Sequence, residues 1–221
     1  MPVSYTQFAG QSLERLAALS DGVFAVAATL LVLDLHVPAL EIAHAAQPLW
    51  ANGALQSEQI LWNALAPLLP RLLTYFMSFL TLGIFWLGQQ TQFNSFERSN
   101  RSFTWIHLIF LFGITLVPFS TGLLAEYITF RLALIIYWFN LMLLGLMLFV
   151  SWRYAARNGL LKAEVTPEIA RAQVRRIVGY QFLYGVATIL CIFSVGLSIG
   201  LLILLQIYSI LVPRFRFLPQ F

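Results

Sequence analysis

Apolar side chains in this chain fall in long unbroken runs rather than in strand-like alternation. Six runs stand out, at about Leu13 to Val37, Ala66 to Phe93, Phe103 to Leu124, Tyr127 to Trp152, Arg176 to Phe193 and Leu197 to Leu211. A bilayer core is crossed by roughly 20 helical residues, and backbone groups in hydrocarbon are satisfied only in helices or closed barrels. The runs lack a two-residue period, so they predict six transmembrane helices. Pro38 and Pro213, lacking the amide that a continuing helix needs, predict the ends of the first and last. Only the Ser194 to Ser198 stretch separates the fifth from the sixth, which predicts a tight antiparallel hairpin. Ala39 to Gln59, with Pro48, Asn52 and Gly53, reads as an outer loop, followed by a short amphipathic helix around Ile60 to Leu65.

Composition strengthens this picture. Of 221 residues 60% are hydrophobic and 10% charged, against about 25% charged in ordinary globular domains. A mean hydropathy of +0.81 over the whole chain is too high for one anchor on a soluble body. The expected fold class is an all-α membrane protein, a single membrane domain over residues 1–221 with no large catalytic module outside the bilayer. The first run is long enough to span, and Arg15, Ser20 and Asp21 interrupt its beginning, so it reads as a span rather than a cleaved signal.

Charge orients the spans. One side carries Arg15, Arg98, Arg101, Arg153, Arg157, Lys162, Arg171, Arg175, Arg176, Arg214 and Arg216, the other only Arg71 and Arg131. Basic residues mark cytoplasmic loops, which predicts cytoplasmic termini and a long cytoplasmic loop from Arg153 to Arg175. The net charge of +4 is explained in this way without a nucleic-acid partner. Asp34, Glu41, Glu58 and Glu126 fall on the opposite side, where carboxylates raise the local cation concentration; Asp34 would attract cations at an outer mouth. Cys191 is the only cysteine, so no disulfide framework or thiolate cluster forms within one chain. The sequence contains no His-Glu-x-x-His, Gly-x-Ser-x-Gly or phosphate-binding glycine loop, and no cofactor or metal is expected. The triplet Val178-Gly179-Tyr180 matches a fragment of a potassium-channel carbonyl filter, but no re-entrant helix fits between its flanking spans.

Ionisable groups inside a span are costly unless paired, which singles out Arg15 and Asp21, with Ser20 beside them. Six residues apart on one helix, Arg15 and Asp21 face different ways, so Asp21 is expected to pair with neighbouring helices. Two further faces separate on a 3.6-residue period. Gly22, Ala25 and Ala28 would let a neighbour approach closely. Val23, Val26, Leu30, Leu33 and Val37 form an apolar stripe that meets lipid or core in one subunit, or rings a pore if copies assemble around an axis.

Three stretches carry a family resemblance. Arg15-Leu-Ala-Ala-Leu19-Ser20-Asp21, with Thr29 and the Leu30 to Leu33 run, resembles the Arg-x-x-x-Phe-Ser-Asp signature of the transmembrane protein 175 family of potassium channels. Phe79 to Trp86 and Leu116 to Thr121, with Glu126, resemble its second and third helices. The resemblance implies a prokaryotic six-helix subunit in the cell membrane, assembled with other copies as a homotetramer in which helix one lines the pore. Val26, Leu30 and Leu33 would be the constriction, Thr29 a selectivity position, and potassium the permeant ion. Arg15, Ser20, Asp21, Trp86, Gln89 and His107 would form a structural polar network. Three positions depart from the family pattern: Leu19 replaces phenylalanine, Gln89 a histidine, and His107 an asparagine. The last two suggest an exchanged pair that preserves a hydrogen bond. An enzyme is not expected; the alternatives are a secondary transporter of cations or small solutes and a non-conducting scaffold.

Overall fold

The computed structural model describes residues 12–38, 50 and 54–211. The expectations that rest on Glu41, Pro48, Asn52, Gly53, Pro213, Arg214 and Arg216 lie outside them. The described residues are helical, joined by short turns and one isolated antiparallel bridge between Phe96 and Leu161. The helices are α1 (Leu13–Leu33), α2 (Ala54–Leu65), α3 (Leu69–Ser95), α4 (Arg101–Thr115), α5 (Val117–Glu126), α6 (Arg131–Arg157), α7 (Pro167–Ile189) and α8 (Val195–Leu211).

Proline chemistry explains most departures from the predicted boundaries. Helix α1 stops at Leu33, short of the expected Val37. A helix continued through Pro38 would drive its ring against the carbonyl four residues back, that of Asp34, so the chain turns instead, with Leu35 N donating to Val32 O (3.0 Å). Pro67 and Pro70 make the 3₁₀ joint Ala66–Leu68, through which α2 runs into α3. The expected third helix is two helices, broken at Leu116 where Pro118 cannot donate. Asn140 of α6 sits at that break: with its amide nitrogen toward Gly113 O (3.0 Å), its oxygen accepts from Val117 N and Ser120 Oγ (both 3.1 Å).

The polar connection expected from Arg153 to Arg175 is mostly helix. Helix α6 continues to Arg157, and α7 begins at Pro167 rather than Arg176. Thr166, whose Oγ1 accepts from Ile169 N (3.3 Å), caps α7, with Pro167 in its first turn and Glu168 against its positive end. At the end of α6, Gly159 takes φ +63°, and Leu160 N donates to Ala155 O (3.0 Å), closing a Schellman-type cap. The short connection is then tied to the α3–α4 turn by Glu97 N to Leu160 O (2.9 Å) and Lys162 N to Ser95 O (3.0 Å).

Four described stretches are long and apolar enough to cross a membrane: Leu13–Leu33, Glu58–Ser95, Arg101–Glu126 and Arg131–Arg157. Helix α8 is apolar but shorter, and arginines dilute the first half of α7. The two pack together, with Ser198 Oγ donating to Ala187 O (2.6 Å) across a two-residue connection after the Leu190–Ile192 turn. Helix α6 packs on α4, α5 and α7, while α1 lies against α3, α4 and α5. Only 28% of the most apolar stretch of α1 is buried, against 44% of that of α6. One face of α1 is therefore left without a partner among the described residues.

Candidate functional site: the two faces of helix α1

The buried face of α1 is Leu16, Ser20, Phe24, Ala27 and Leu31. Phe24 meets Phe110 of α4 at 6.1 Å between ring centroids, and Leu31 is 1% exposed. Of the small-residue row, Ala28 is half-buried against the core, while Gly22 and Ala25 are exposed and a Cβ on Gly22 would touch nothing within 4 Å. Among the described residues the small side chains of α1 that are fully buried against its neighbours are Ser20 and Ala27.

Helix α3 reaches α1 through a polar seam. Trp86, Gln89 and Gln90 lie three and four residues apart, and thus on one helical face. Trp86 Nε1 and Gln90 Nε2 both donate to Asp21 Oδ1, at 2.8 and 2.9 Å. Buried Gln89 donates to Ser20 Oγ (3.0 Å), and Ser20 donates onward to Leu16 O (2.8 Å). Asp21 is eight residues into α1 and Trp86 nine from the end of α3, so both stand about 12–14 Å from the same end of the bundle. Carboxylate bonds of this kind are stronger than neutral ones, and they hold α1 in one rotation about its axis.

The other named residues take separate places. The Arg15 side chain is exposed and makes no ion pair or hydrogen bond among the described residues; only its backbone N–H is used, donating to Ser12 Oγ (3.2 Å). His107 is buried between Phe93 (centroids 4.8 Å, stacked) and Phe103 (4.5 Å). Its ring nitrogens form no well-shaped hydrogen bond, the Phe103 backbone being a loose contact, and Gln89 Oε1 is likewise unpartnered. The structure thus joins Gln89 to Ser20 and leaves His107 in an aromatic stack. Gln90, absent from the sequence reading, was legible only as the residue one turn beyond Trp86.

Val26, Leu30 and Leu33 are 58%, 43% and 65% exposed. Val26 and Leu30, with Leu19, Gly22 and Val23, edge a groove of about 410 Å³ that Thr115 of α4 also lines, and Leu33 stands beyond it. Thr29 is exposed beside them and turns its hydroxyl back onto Val26 O (2.8 Å). Asp34 caps α1 near α5, its Oδ2 only 3.0 Å from where a Cβ on Gly122 would stand. At this same end Arg71 and Glu126 form an ion pair at 2.6 Å.

A second polar chain, missed in the sequence, runs through the interior. Thr121 donates to Ser78 Oγ (2.6 Å), Ser78 to Tyr137 OH (3.3 Å), Tyr137 OH meets Thr81 Oγ1 (2.9 Å), and Gln206 donates to Thr81 (2.7 Å). Tyr137 and Gln206, isolated in apolar runs, were its only signal. Hydroxyls and amides with internal partners glue α3, α5, α6 and α8.

A bundle of apolar helices, with a locked polar seam behind an uncovered apolar face, is a multi-pass membrane protein. The sequence profile of the TMEM175 family, described as an endosomal/lysosomal potassium channel, matches residues 15–118. A protein from Chamaesiphon minutus named a potassium channel is 33% identical over 201 residues, 88% of this chain and 91% of its own length. Another so named, from Streptomyces collinus, is 31% identical over 78% of this chain and 81% of its own. The crystal structure of a lysosomal potassium-selective channel TMEM175 homologue from Chamaesiphon minutus superposes with a TM-score of 0.74 at 29% identity, covering 92% of this chain and 98% of that one. Animal relatives that align with about half of this chain are named endosomal/lysosomal proton channels. The chain belongs to the TMEM175 family, a family of ion channels and not of enzymes.

Proposed function

We propose that this chain is the subunit of a homotetrameric, potassium-permeable channel of the cell membrane, with α1 from four copies surrounding the pore. Residues 1–221 form one six-span domain with both termini cytoplasmic, α7 and α8 supplying the last two spans. The observation that carries this reading is the division of α1. Its buried edge and the Asp21 seam lock one side to the subunit, while Val26, Leu30 and Leu33 stay uncovered.

Four copies of that stripe around an axis make a constriction without oxygen ligands. A cation crossing it gives up part of its hydration shell and receives nothing in return. Potassium holds its water less tightly than sodium, so the apolar ring favours potassium, modestly, and dewetting of the ring closes it. Thr29 supplies a hydroxyl at the edge of the ring, and Asp34 draws cations to the outer mouth. Ser20, Asp21, Trp86 and Gln89 hold the helix, Arg15 and His107 lie outside that seam, and none of the six touches the ion. No cofactor enters the mechanism.

Reconstitution of the purified protein in liposomes, with potassium, sodium and proton fluxes compared, tests the reading. Potassium flux exceeding sodium flux, with unitary steps in bilayers, is the expected result. Absence of any cation flux from intact tetramers would refute it.

A further inference from the structure

Because α6 extends to Arg157 and α7 starts at Pro167, two antiparallel helices bring arginines together that a loop would have scattered. Arg153 and Arg157 are one turn apart on α6, Arg171 and Arg175 one turn apart on α7, and all four line a single groove of about 1120 Å³. Its floor is Trp152, buried and tied across by Nε1 to Ala170 O (3.1 Å). Glu168 is the one carboxylate in the lining, and none of the four guanidiniums has an ion pair among the described residues. Arg171 Nε donates to Pro167 O (3.3 Å), and Arg153 lies 5.9 Å from the Phe149 ring centre. Four like charges against one carboxylate leave a strong unneutralised positive field.

The faces that carry these arginines continue into apolar surface. On α7 the positions after Arg171 and Arg175 at helical spacing are Val178, Phe182, Val186 and Ile189, all exposed. On α6 the face of Arg157 and Arg153 continues through exposed Leu146 and Phe139. Each stripe is therefore guanidinium at one end and hydrocarbon along the rest. A soluble anion satisfies only the first part; a molecule with a phosphate head and acyl chains satisfies both.

We infer that the groove between α6 and α7 binds the phosphate head of an anionic phospholipid of the cytoplasmic leaflet, its chains lying along the apolar stripes. The inference rests on the membrane orientation proposed above, not on conduction. Arginine forks match phosphate oxygens, and each basic residue near a membrane surface adds a severalfold gain for anionic lipid.

The test is lipid binding by the delipidated full-length protein in detergent, read by native mass spectrometry with dioleoyl phosphatidylglycerol, dioleoyl phosphatidylcholine and soluble glycerol phosphate as probes. The expected result is a preference for phosphatidylglycerol of roughly tenfold or more, lost in R171Q/R175Q, reduced but not lost in R171K/R175K, which keeps the charge without the fork, and retained in the control R101Q/K162Q. Equal binding of the two lipids, a preference that survives R171Q/R175Q, or glycerol phosphate binding as tightly as the lipid would each overturn the proposal. Because the readout is binding, it is independent of whether the tetramer conducts.

Discussion

Leu30 and Leu31 are chain neighbours with opposite surroundings, and exchanging each for alanine separates the two faces of α1. Leu31 is 1% exposed and packs in the core with Phe24, Ala27 and Ile114. Lipid tails are as apolar as that core, so truncation there loses packing rather than hydrophobic transfer. A residual cavity of about 65 Å³ at about 24 cal/mol per Å³ gives a loss of about 1.6 kcal/mol. Leu30 is 43% exposed, and its truncation removes fewer contacts, so Leu30→Ala should cost the subunit under about 0.5 kcal/mol. For ion selection the order reverses. Leu30→Ala widens the proposed ring and should lower potassium preference over sodium, each tenfold fall moving a bi-ionic reversal potential by about 59 mV. Thermal melting in detergent reads the first effect and planar-bilayer recording the second. The reasoning fails if Leu31→Ala shifts the reversal potential while Leu30→Ala leaves it unchanged, or if the two destabilise equally.

Asp21→Ala removes the acceptor of two bonds and should lower stability by about 1–3 kcal/mol, with loss of tetramer on size exclusion; Arg15→Gln should do less to the isolated subunit, and the opposite ranking in melting would contradict the seam described above. His107→Phe should be neutral or raise the melting temperature, since it removes two buried nitrogens that lack well-formed partners; a fall of several degrees would show that His107 bonds to something the stack does not reveal. Breaking the exposed Arg71–Glu126 pair with Arg71→Gln should cost under about 1 kcal/mol and less at high salt; a salt-independent loss twice that size would contradict its exposed setting.

Helices were legible wherever hydrocarbon leaves the backbone no other partner. The apolar runs at Leu13, Phe103 and Tyr127 became α1, the α4–α5 pair and α6 within a few residues. The start of α7 was less legible because Arg171, Arg175 and Arg176 suggest a loop by composition, although Thr166-Pro167-Glu168 is a clear helix start. At the candidate site, Ser20, Asp21, Trp86 and Gln89 were all named from sequence, while Gln90 and the separation of His107 from the seam depended on how α3 and α4 turn against α1.

Membrane residence and helical character were thus determined by the sequence alone, because they depend on local hydropathy and on backbone bonds made within each helix. Which face of α1 is core was not. Periodicity defined a small-residue row and an apolar stripe, either of which could have packed inward. Contacts from α3, α4 and α5 buried Ser20, Phe24, Ala27 and Leu31 and left Val26, Leu30 and Leu33 free. That choice belongs to the tertiary structure because apolar side chains are equally soluble in lipid and in protein. Only shape and the partners of the few polar groups decide between the two.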